Sequence, residues 1–459
     1  MTFKKNFSLN VKRLVLSFNI IFSFLLLCIC PVKYSYSYNI VLLLLFIHSV
    51  FLLILFEKIQ HPFTFDLLFS ITYFFTFFIY PCFIFPVAPK ALFMFTYDFN
   101  YDVINKGTCL ALIAFNTFLL GKQFFSTNAC KEYTTSKFNY IKIINVILNL
   151  LIPLYIIIHL RYIAMPYSRN KLWFTRGVWN YITQFKNCFI YIGLAIIFYK
   201  KSNTHEKLNS REKYFLLISI VDAFFLLILG SRTIPLFFFI IIFFLYSEFV
   251  KPITYKTFFI LLFCGILGLG LLGWIRLGYS TTSFTSNNSL GILNFASDLI
   301  INNRTLYVAL DYTKNNGFEI ITLLFPFFGI IPFSQSLFKN LLNIPSYKLN
   351  SALFFTYLQF GLKNNSERIG LGSNIVASAY LGGGILAVII LFFSIGLISK
   401  IIQKYSKNTL LTSIIFLIFL SDSVFWVRNE ISQPLVDISR CLISFMIIKF
   451  LAKAGEKVK

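Results

Sequence analysis

The chain has 459 residues, of which 58% are hydrophobic and only 13% charged, and its mean hydropathy is +0.77. A soluble protein carries about 25% charged residues, so these values exclude a water-soluble globular fold. The net charge of +24 would suggest nucleic-acid binding in a soluble chain. In a membrane protein, basic residues accumulate in cytoplasmic loops and orient the helices, so no nucleic-acid partner is expected.

Apolar segments long enough to cross a hydrocarbon core of about 30 Å as helices recur along the chain. They predict an all-α, polytopic transmembrane protein of about twelve spans, with residues 1–459 forming a single integral membrane domain. Polar residues interrupt the fourth segment at Asn105 and the twelfth at Asp437 and Arg440. The twelve segments are 14–31, 38–56, 67–88, 103–120, 141–160, 181–199, 214–230, 233–250, 257–274, 371–399, 409–427 and 432–452.

Residues 275–370 form one long polar segment, rich in Asn and Ser, between the ninth and tenth spans. It contains an apolar patch at 319–333, which Pro326 and Pro332 interrupt. The patch is too short for a span, so a re-entrant or interfacial piece is expected. We predict a long outer loop that contains short helices.

The distribution of basic residues predicts the orientation. If the amino terminus is cytoplasmic, 23 basic residues fall in cytoplasmic segments and 18 outside or at outer helix ends, and seven of those 18 lie in the long loop. Long loops do not count toward the positive-inside rule. Both termini are therefore predicted to be cytoplasmic. The first segment lacks a small-residue cleavage site, so it is expected to remain as a span.

Arginine and lysine are distributed differently. In this topology 21 of the 30 lysines are cytoplasmic, whereas nine of the 11 arginines are outside or at outer helix ends. A guanidinium binds phosphate or carboxylate with two parallel hydrogen bonds and stays charged, so these arginines are candidates for binding an anionic substrate. Pairing with outer carboxylates or lipid headgroups is the alternative. The nine are Arg161, Arg169, Arg176, Arg232, Arg276, Arg304, Arg368, Arg428 and Arg440.

Arg232 is the foremost single candidate. It lies between two apolar runs in LILGSRTIPLFF (227–238), where Gly230 and Pro235 favour a tight turn. A charge flanked by apolar sequence is a functional candidate by default, although an arginine that snorkels to headgroups would also fit. Arg428 occupies a similar outer turn, and Glu430 follows it by two residues.

Neither a metal nor a nucleotide is expected. The four histidines form no HxxH or HExxH pair, and the chain has no P-loop and no GxGxxG motif. No cofactor is therefore predicted. Asp222, early in the seventh span, is either a buried relay group or a residue near the inner interface.

The segment after the long loop, RIGLGSNIVASAYLGGGILAVIILFFSIGLI (368–398), resembles the oligosaccharide repeat-unit polymerases, also called O-antigen (Wzy-type) polymerases. The similarity rests on a Gly/Ser entry, a tyrosine, a glycine-rich turn into an apolar helix, and a Gly-x-Arg before a span, here 230–232. An acidic residue often precedes that tyrosine by two positions in the family, but Ser378 stands there, so no acid role is transferred to it. The matching positions are Gly370, Gly372, Ser373, Tyr380 and Gly382–Gly384.

The resemblance implies a metal-independent glycosyltransferase in the bacterial cytoplasmic (inner) membrane. Its substrate would be an undecaprenyl-pyrophosphate-linked oligosaccharide, polymerised on the outer face for O-antigen or capsule, with a chain-length regulator as a possible partner. Arginines would stabilise the departing pyrophosphate, and Glu367, Glu430 or Asp422 would be the base. The expected catalytic residues are Arg232, Arg276, Arg428, Glu430 and Glu367, and the expected substrate-binding residues are Arg161, Arg176, Arg304, Arg368 and Tyr380.

Two other functions remain open. A lipid-linked oligosaccharide flippase would share the spans and the arginines, but it seldom has so long an outer loop. An O-antigen ligase would share the donor, but ligases resemble one another in carrying a histidine in the long outer loop, and residues 275–370 contain none.

Overall fold

The computed structural model describes residues 2–59, 61–125, 140–163, 178–204, 207–228, 233–276, 297–361 and 370–457. Within these ranges the chain is helical and contains no strand. The helices are α1 Thr2–Cys28, α2 Tyr36–Glu57, α3 Phe65–Phe77, α4 Val103–Phe124, α5 Tyr140–Ile163, α6 Val178–Thr204, α7 Ser210–Ile228, α8 Thr233–Phe249, α9 Tyr255–Arg276, α10 Ser297–Ile300, α11 Asn303–Asn316, α12 Ile320–Leu324, α13 Ser334–Leu341, α14 Ser351–Phe360, α15 Ile375–Tyr405, α16 Leu410–Asp422 and α17 Gln433–Lys457.

Each of the twelve predicted segments overlaps one of these helices. Five helices of the described chain are long and apolar enough to cross a membrane, namely 10–28, 36–57, 103–124, 181–204 and 375–405. The all-helical, membrane-embedded character is thereby confirmed. The number of about twelve spans stays a prediction, because α3 and α16 have only 13 residues each, whereas a straight span needs about 20.

Helices α4 and α15 form the central contact of the bundle. A Cβ on Gly121 of α4 would collide with the backbone of Phe393, and a Cβ on Gly396 of α15 would collide with the backbone of Phe118. The two backbones therefore touch directly, as small residues allow in membrane helices. The hydrophobic effect contributes little to helix association in a bilayer, because lipid is as apolar as the side chains. The close van der Waals fit between the two backbones is therefore what holds α4 and α15 together.

One end of the bundle collects charged side chains, and we call it the lysine-rich end. Lys122 near the end of α4 pairs with Asp66 in the first turn of α3, and Lys400 of α15 pairs with Glu57 at the end of α2. Gln123 donates to the same Glu57 carboxylate at 2.9 Å. The helix ends that meet here are those that the predicted alternation places on one side. Which side faces the cytoplasm stays a prediction.

The opposite end carries α10–α14, and we call it the loop end. Here Asn105, which interrupts the fourth predicted span, donates to the carbonyls of Pro31 and Lys33 at 2.9 and 2.8 Å. It also accepts from Asn39 at 2.7 Å. The polar residue thus satisfies the turn between α1 and α2, and α4 continues through it as an unbroken helix.

The prediction of short helices in the long loop is confirmed for residues 297–361. The apolar patch forms α12 and a 3-10 turn at Phe325–Ile330, and it docks on α15 at a kink around Gly382–Gly384. The Glu319 amide donates to the Leu381 carbonyl at 2.8 Å. Gly384 has φ +65°, and a Cβ there would lie 2.8 Å from Phe318. Glycine is needed at this kink both for its conformation and for the space it leaves.

Replacing Gly396 with alanine should separate α4 from α15, because the added methyl meets backbone that cannot rotate away. We expect a loss of about 3 kcal/mol, at the upper end for overpacked sites, measured as a fall in thermal stability in detergent. Gly265→Ala is the matched control, since a Cβ there has no atom within 4 Å. Equal stability of the two variants would contradict the close contact.

The predicted orientation can be tested with a reporter enzyme that is active only outside the cytoplasm. Fused after residue 310, in α11, the reporter should be active, because the loop end is predicted to face outward. Fused after residue 402, at the lysine-rich end, it should be inactive. The reverse pattern would show that the predicted topology is wrong by one span.

Candidate functional site

A cavity of about 860 Å³ opens at the loop end, between α6, α17 and the loop residues that follow α12. Two hydrogen bonds hold the loop to α17 here, because Ser432 donates to the Pro326 carbonyl at 3.1 Å and Ser439 donates to that of Ile330. The rings of Tyr181 on α6 and Phe333 pack 5.2 Å apart. The cavity thus lies between α6, α17 and the loop residues that follow α12.

Glu430 lies in the turn between α16 and α17 and lines this cavity. Its carboxylate accepts hydrogen bonds from Ser351 Oγ at 2.9 Å and from the backbone amide of Ala352 at 3.1 Å. Both donors are in the first turn of α14, where the helix dipole favours an anion. Asn350 caps that helix by accepting from the Leu353 amide at 2.8 Å, which fixes the direction of the donors.

Two opposing effects act on the Glu430 carboxyl. Burial raises its pKa, and the hydrogen bonds from Ala352 and Ser351 lower it. Burial is the larger effect, so the pKa lies above that of an ordinary glutamate. A carboxylate with a raised pKa is a stronger base than one in water.

A chain of hydroxyl groups continues behind Glu430. Ser378 donates to Ser351 Oγ at 2.8 Å, and Ser373 lies 2.5 Å from the same oxygen. Ser373 belongs to the Gly/Ser entry of α15 and Ser378 to the first turn of that helix. Between them, Asn374 caps the helix by accepting from the Val376 and Ala377 amides. Ser378 stands where the family often has an acidic residue. In this fold it is connected to the acid Glu430 by hydrogen bonds through Ser351.

Two basic side chains line the same cavity, Arg440 of α17 and Lys339 of α13. The Arg440 side chain is 31% exposed, and its Nη1 lies 3.5 Å from Asp437, which also accepts from Gln433 at 2.8 Å. Lys339 donates to Ser346 Oγ at 3.0 Å. The cavity is thus lined by two cations, Arg440 on the long helix α17 and Lys339 on the short loop helix α13.

Four amide and four aromatic side chains are among the other residues that line the cavity. Amide side chains bind hydroxyl groups as both donor and acceptor, and aromatic rings pack on the apolar faces of sugars and lipids. The amides are Gln184, Gln335, Asn350 and Gln433, and the rings are Tyr181, Phe185, Phe325 and Phe333. Within the described ranges, no group of three or more His, Cys, Asp or Glu side chains could hold a metal ion.

Four of the ten predicted site residues have described side chains, and among these four Glu430 alone lines the cavity. Arg428 lies over the Phe425 ring, 5.3 Å from its centroid. Tyr380 lies by the α15 kink, with Lys106 above its ring at 5.7 Å. Asp422, the other considered base, is buried, and its Oδ2 accepts no hydrogen bond from the described residues.

Arg304 is 2% exposed and joins three parts of the loop end. It donates to the Asp98 carbonyl at 3.0 Å and to Gln359 Oε1 at 2.6 Å, and it lies 4.2 Å from the centroid of the Phe99 ring. Burial lowers its pKa to about 10. These contacts hold the guanidinium in the scaffold, and Arg304 is not among the residues that line the cavity.

Six predicted side chains cannot be placed. Arg232, Arg176, Arg368 and Glu367 lie outside the described residues, as do the side chains of Arg276, at the end of α9, and of Arg161, in α5. Their roles stay predictions.

Arg440 was one of the nine candidate arginines but not one of the ten expected site residues, and Lys339 was in neither set. The signal for Arg440 was present, since a charge two turns into an apolar helix, with Asp437 three residues before it, marks a functional candidate. Lys339 had no comparable signal, because only the docking of α13 brings it to the cavity.

Comparisons of the chain with protein-family models, with curated proteins and with solved structures find no match.

Glu430→Gln should abolish the function of this cavity, because the amide keeps the shape but cannot accept a proton. A positioned general base contributes about 100-fold or more to a reaction rate. We therefore expect the rate measured in reconstituted membranes to fall by at least that factor. The wild-type rate should fall on acidification, since the charged form is lost as the pH drops through the raised pKa.

Asp98→Asn is the control for this variant, since Asp98 is an exposed acid of the loop end, paired with Lys90. It should leave the rate unchanged. If the Glu430→Gln protein keeps the full rate, Glu430 is not the general base.

Proposed function

We propose that the protein is a polysaccharide polymerase of the bacterial cytoplasmic membrane, which joins lipid-pyrophosphate-linked oligosaccharide repeat units on the outer face. The observation that carries the proposal is the composition of the cavity at the loop end. One carboxylate, two basic side chains and several amides line the same space. The motif similarity at 368–398 supports it, because Ser373 of that motif contacts Ser351, the hydrogen-bond partner of Glu430.

The reaction assigns one task to each kind of side chain. Glu430 accepts the proton of an acceptor sugar hydroxyl, and that oxygen forms a bond to the anomeric carbon of the growing chain. The bond from this carbon to the lipid pyrophosphate breaks, and its electron pair leaves with the pyrophosphate. Arg440 and Lys339 stabilise the leaving anion, since fixed cations in a dry site lower the barrier most where charge develops.

The lipid part of the substrate has an apolar route to the same cavity. Several side chains that line it are apolar and exposed at the surface of the bundle: Tyr181 37%, Phe185 39%, Ile331 67%, Phe333 69% and Ile443 37%. Three of these side chains lie on α6 and α17 and two lie in the loop between them. An exposed apolar surface of this kind marks a membrane or partner contact. A lipid-linked sugar could therefore keep its tail in the bilayer while its pyrophosphate reaches Arg440.

The test is a deletion strain whose surface glycan is separated on a gel. Loss of the gene should remove the polymer ladder and leave one repeat unit attached. Wild-type protein should restore the ladder, whereas Glu430→Gln and Arg440→Met should not, and Arg440→Lys should restore it in part because a point charge replaces the two-pronged contact. Lys90→Met, in an exposed pair of the loop end, is the control. A full ladder from Arg440→Met and Glu430→Gln would refute the proposal.

A lipid-linked oligosaccharide flippase is the second candidate, and one observation favours it. Ionisable side chains are buried within helices that lie in the bundle, among them Lys186 and Asp222, both 0% exposed, and Asp422. Buried charges of this kind mark transport and proton pathways in many membrane proteins. A flippase would give a different gel, because its deletion removes every repeat unit from the surface.

A further inference from the structure

Lys186 of α6 and Asp222 of α7 form an ion pair inside the bundle. Lys186 Nζ lies 2.8 and 2.7 Å from the two carboxylate oxygens, and both side chains are 0% exposed. Lys186 is eight residues from the start of α6, about 12 Å along the helix axis, so the pair is well below the loop end. Neither residue lines the cavity.

The pair is the upper contact of a regular seam between α6 and α7. Seven residues further along α6, Gly193 leaves room for the ring of Phe215, which a Cβ would otherwise meet. After another seven residues, Lys200 donates to Glu212 at 3.0 Å. Contacts that repeat every seven residues keep one face of a helix turned to its partner.

The same helix carries one wall of the cavity. Tyr181, Gln184, Phe185 and Cys188 line it, and their spacing of three and four residues places them on a single stripe of α6. At 100° per residue, Lys186 lies roughly 150° around the helix from the middle of that stripe. The ion pair therefore holds the far side of the helix whose near side forms the cavity wall.

We propose that the Lys186–Asp222 pair is a rotational lock, which positions the α6 wall of the cavity for its substrate. Apolar side chains would hold two helices together as tightly as a buried pair does. They slide past one another, however, whereas an ion pair is satisfied in one register only, which is the best-attested use of a buried polar contact. Lys186 and Asp222 act through α6 and are positioning residues. Their effect on polymer rests on the proposed function, but the geometry does not.

The test neutralises the pair as Lys186→Met with Asp222→Asn in the full chain, and it reads the wall through Cys188. Cys188 lines the cavity but is only 5% exposed, so a rotation of α6 that changes this exposure changes the rate of its reaction with a small water-soluble maleimide. Labelling is followed at the peptide level in membranes, relative to the exposed Cys28. A change of about tenfold in the Cys188 rate is expected, together with at least a tenfold loss of polymer, since small misplacements of binding groups cost rates of that order.

The matched control is Lys200→Met with Glu212→Gln. It neutralises the other ion pair of the same seam, 14 residues or about 21 Å further along α6, and should leave Cys188 labelling and polymer unchanged. The charge-reversed protein, Lys186→Asp with Asp222→Lys, restores an ion pair and should restore the labelling rate.

The outcomes separate the lock from the proposed function. Unchanged Cys188 labelling in the neutral variant would overturn the lock, as would reversed charges that leave the labelling altered. If the neutral variant does not accumulate in the membrane, the charge-reversed protein decides in the same way. Altered labelling with a normal polymer ladder would confirm the lock and refute the polymerase assignment for this cavity.

Discussion

The backbone contact between α4 and α15 is the constraint on which the rest of the structure depends. Gly121 and Gly396 bring the two helices so close that each meets the backbone of the other. In a lipid environment the solvent is as apolar as the side chains, so association rests on close fit and on polar contacts rather than on water exclusion. With α15 held in this way, its two ends reach both ends of the bundle. Lys400 pairs with Glu57 at one end, and the Gly/Ser entry lies at the other.

The cavity follows from what α15 presents at the loop end. Its kink at Gly382–Gly384 receives α12, its first turn supplies Ser378, and the segment just before it supplies Ser373. Ser351 links these hydroxyls to Glu430, so a carboxylate on one turn is positioned by two separate helices. The carboxylate is partly removed from water but keeps an amide and a hydroxyl donor. This balance leaves it ionisable and more basic than a free glutamate.

Much of the helical architecture could be predicted from the sequence, because a chain in the bilayer must form helices to satisfy its backbone hydrogen bonds. Every predicted segment contains a helix, since backbone amides in lipid have no other way to be satisfied. Asn105 shows where that reasoning met its limit. A polar residue in an apolar run looked like an interruption, yet it satisfies the carbonyls of Pro31 and Lys33. A single sequence cannot show such a partner, because the turn that needs the donor lies some 70 positions away.

The site was harder to predict than the fold. Arginines at the outer ends were the strongest signal, but Arg304 proved to be held by Asp98, Gln359 and Phe99 within the scaffold. Asp222 is a second example. Its sequence position fitted either a buried relay group or a residue near the inner interface, and its pairing with Lys186 places it inside the bundle.

By itself, the sequence determined the all-helical fold, the position of the helices along the chain and the long loop with short helices. These depend on local hydrophobicity and on the need of each backbone to satisfy its own hydrogen bonds. Only the tertiary structure decided that Glu430, Arg440 and Lys339 share a cavity and that α6 turns the stripe from Tyr181 to Cys188 toward it. Those outcomes depend on helix rotation and loop docking, which are set by contacts between residues distant in the chain, such as Gly396 with Phe118.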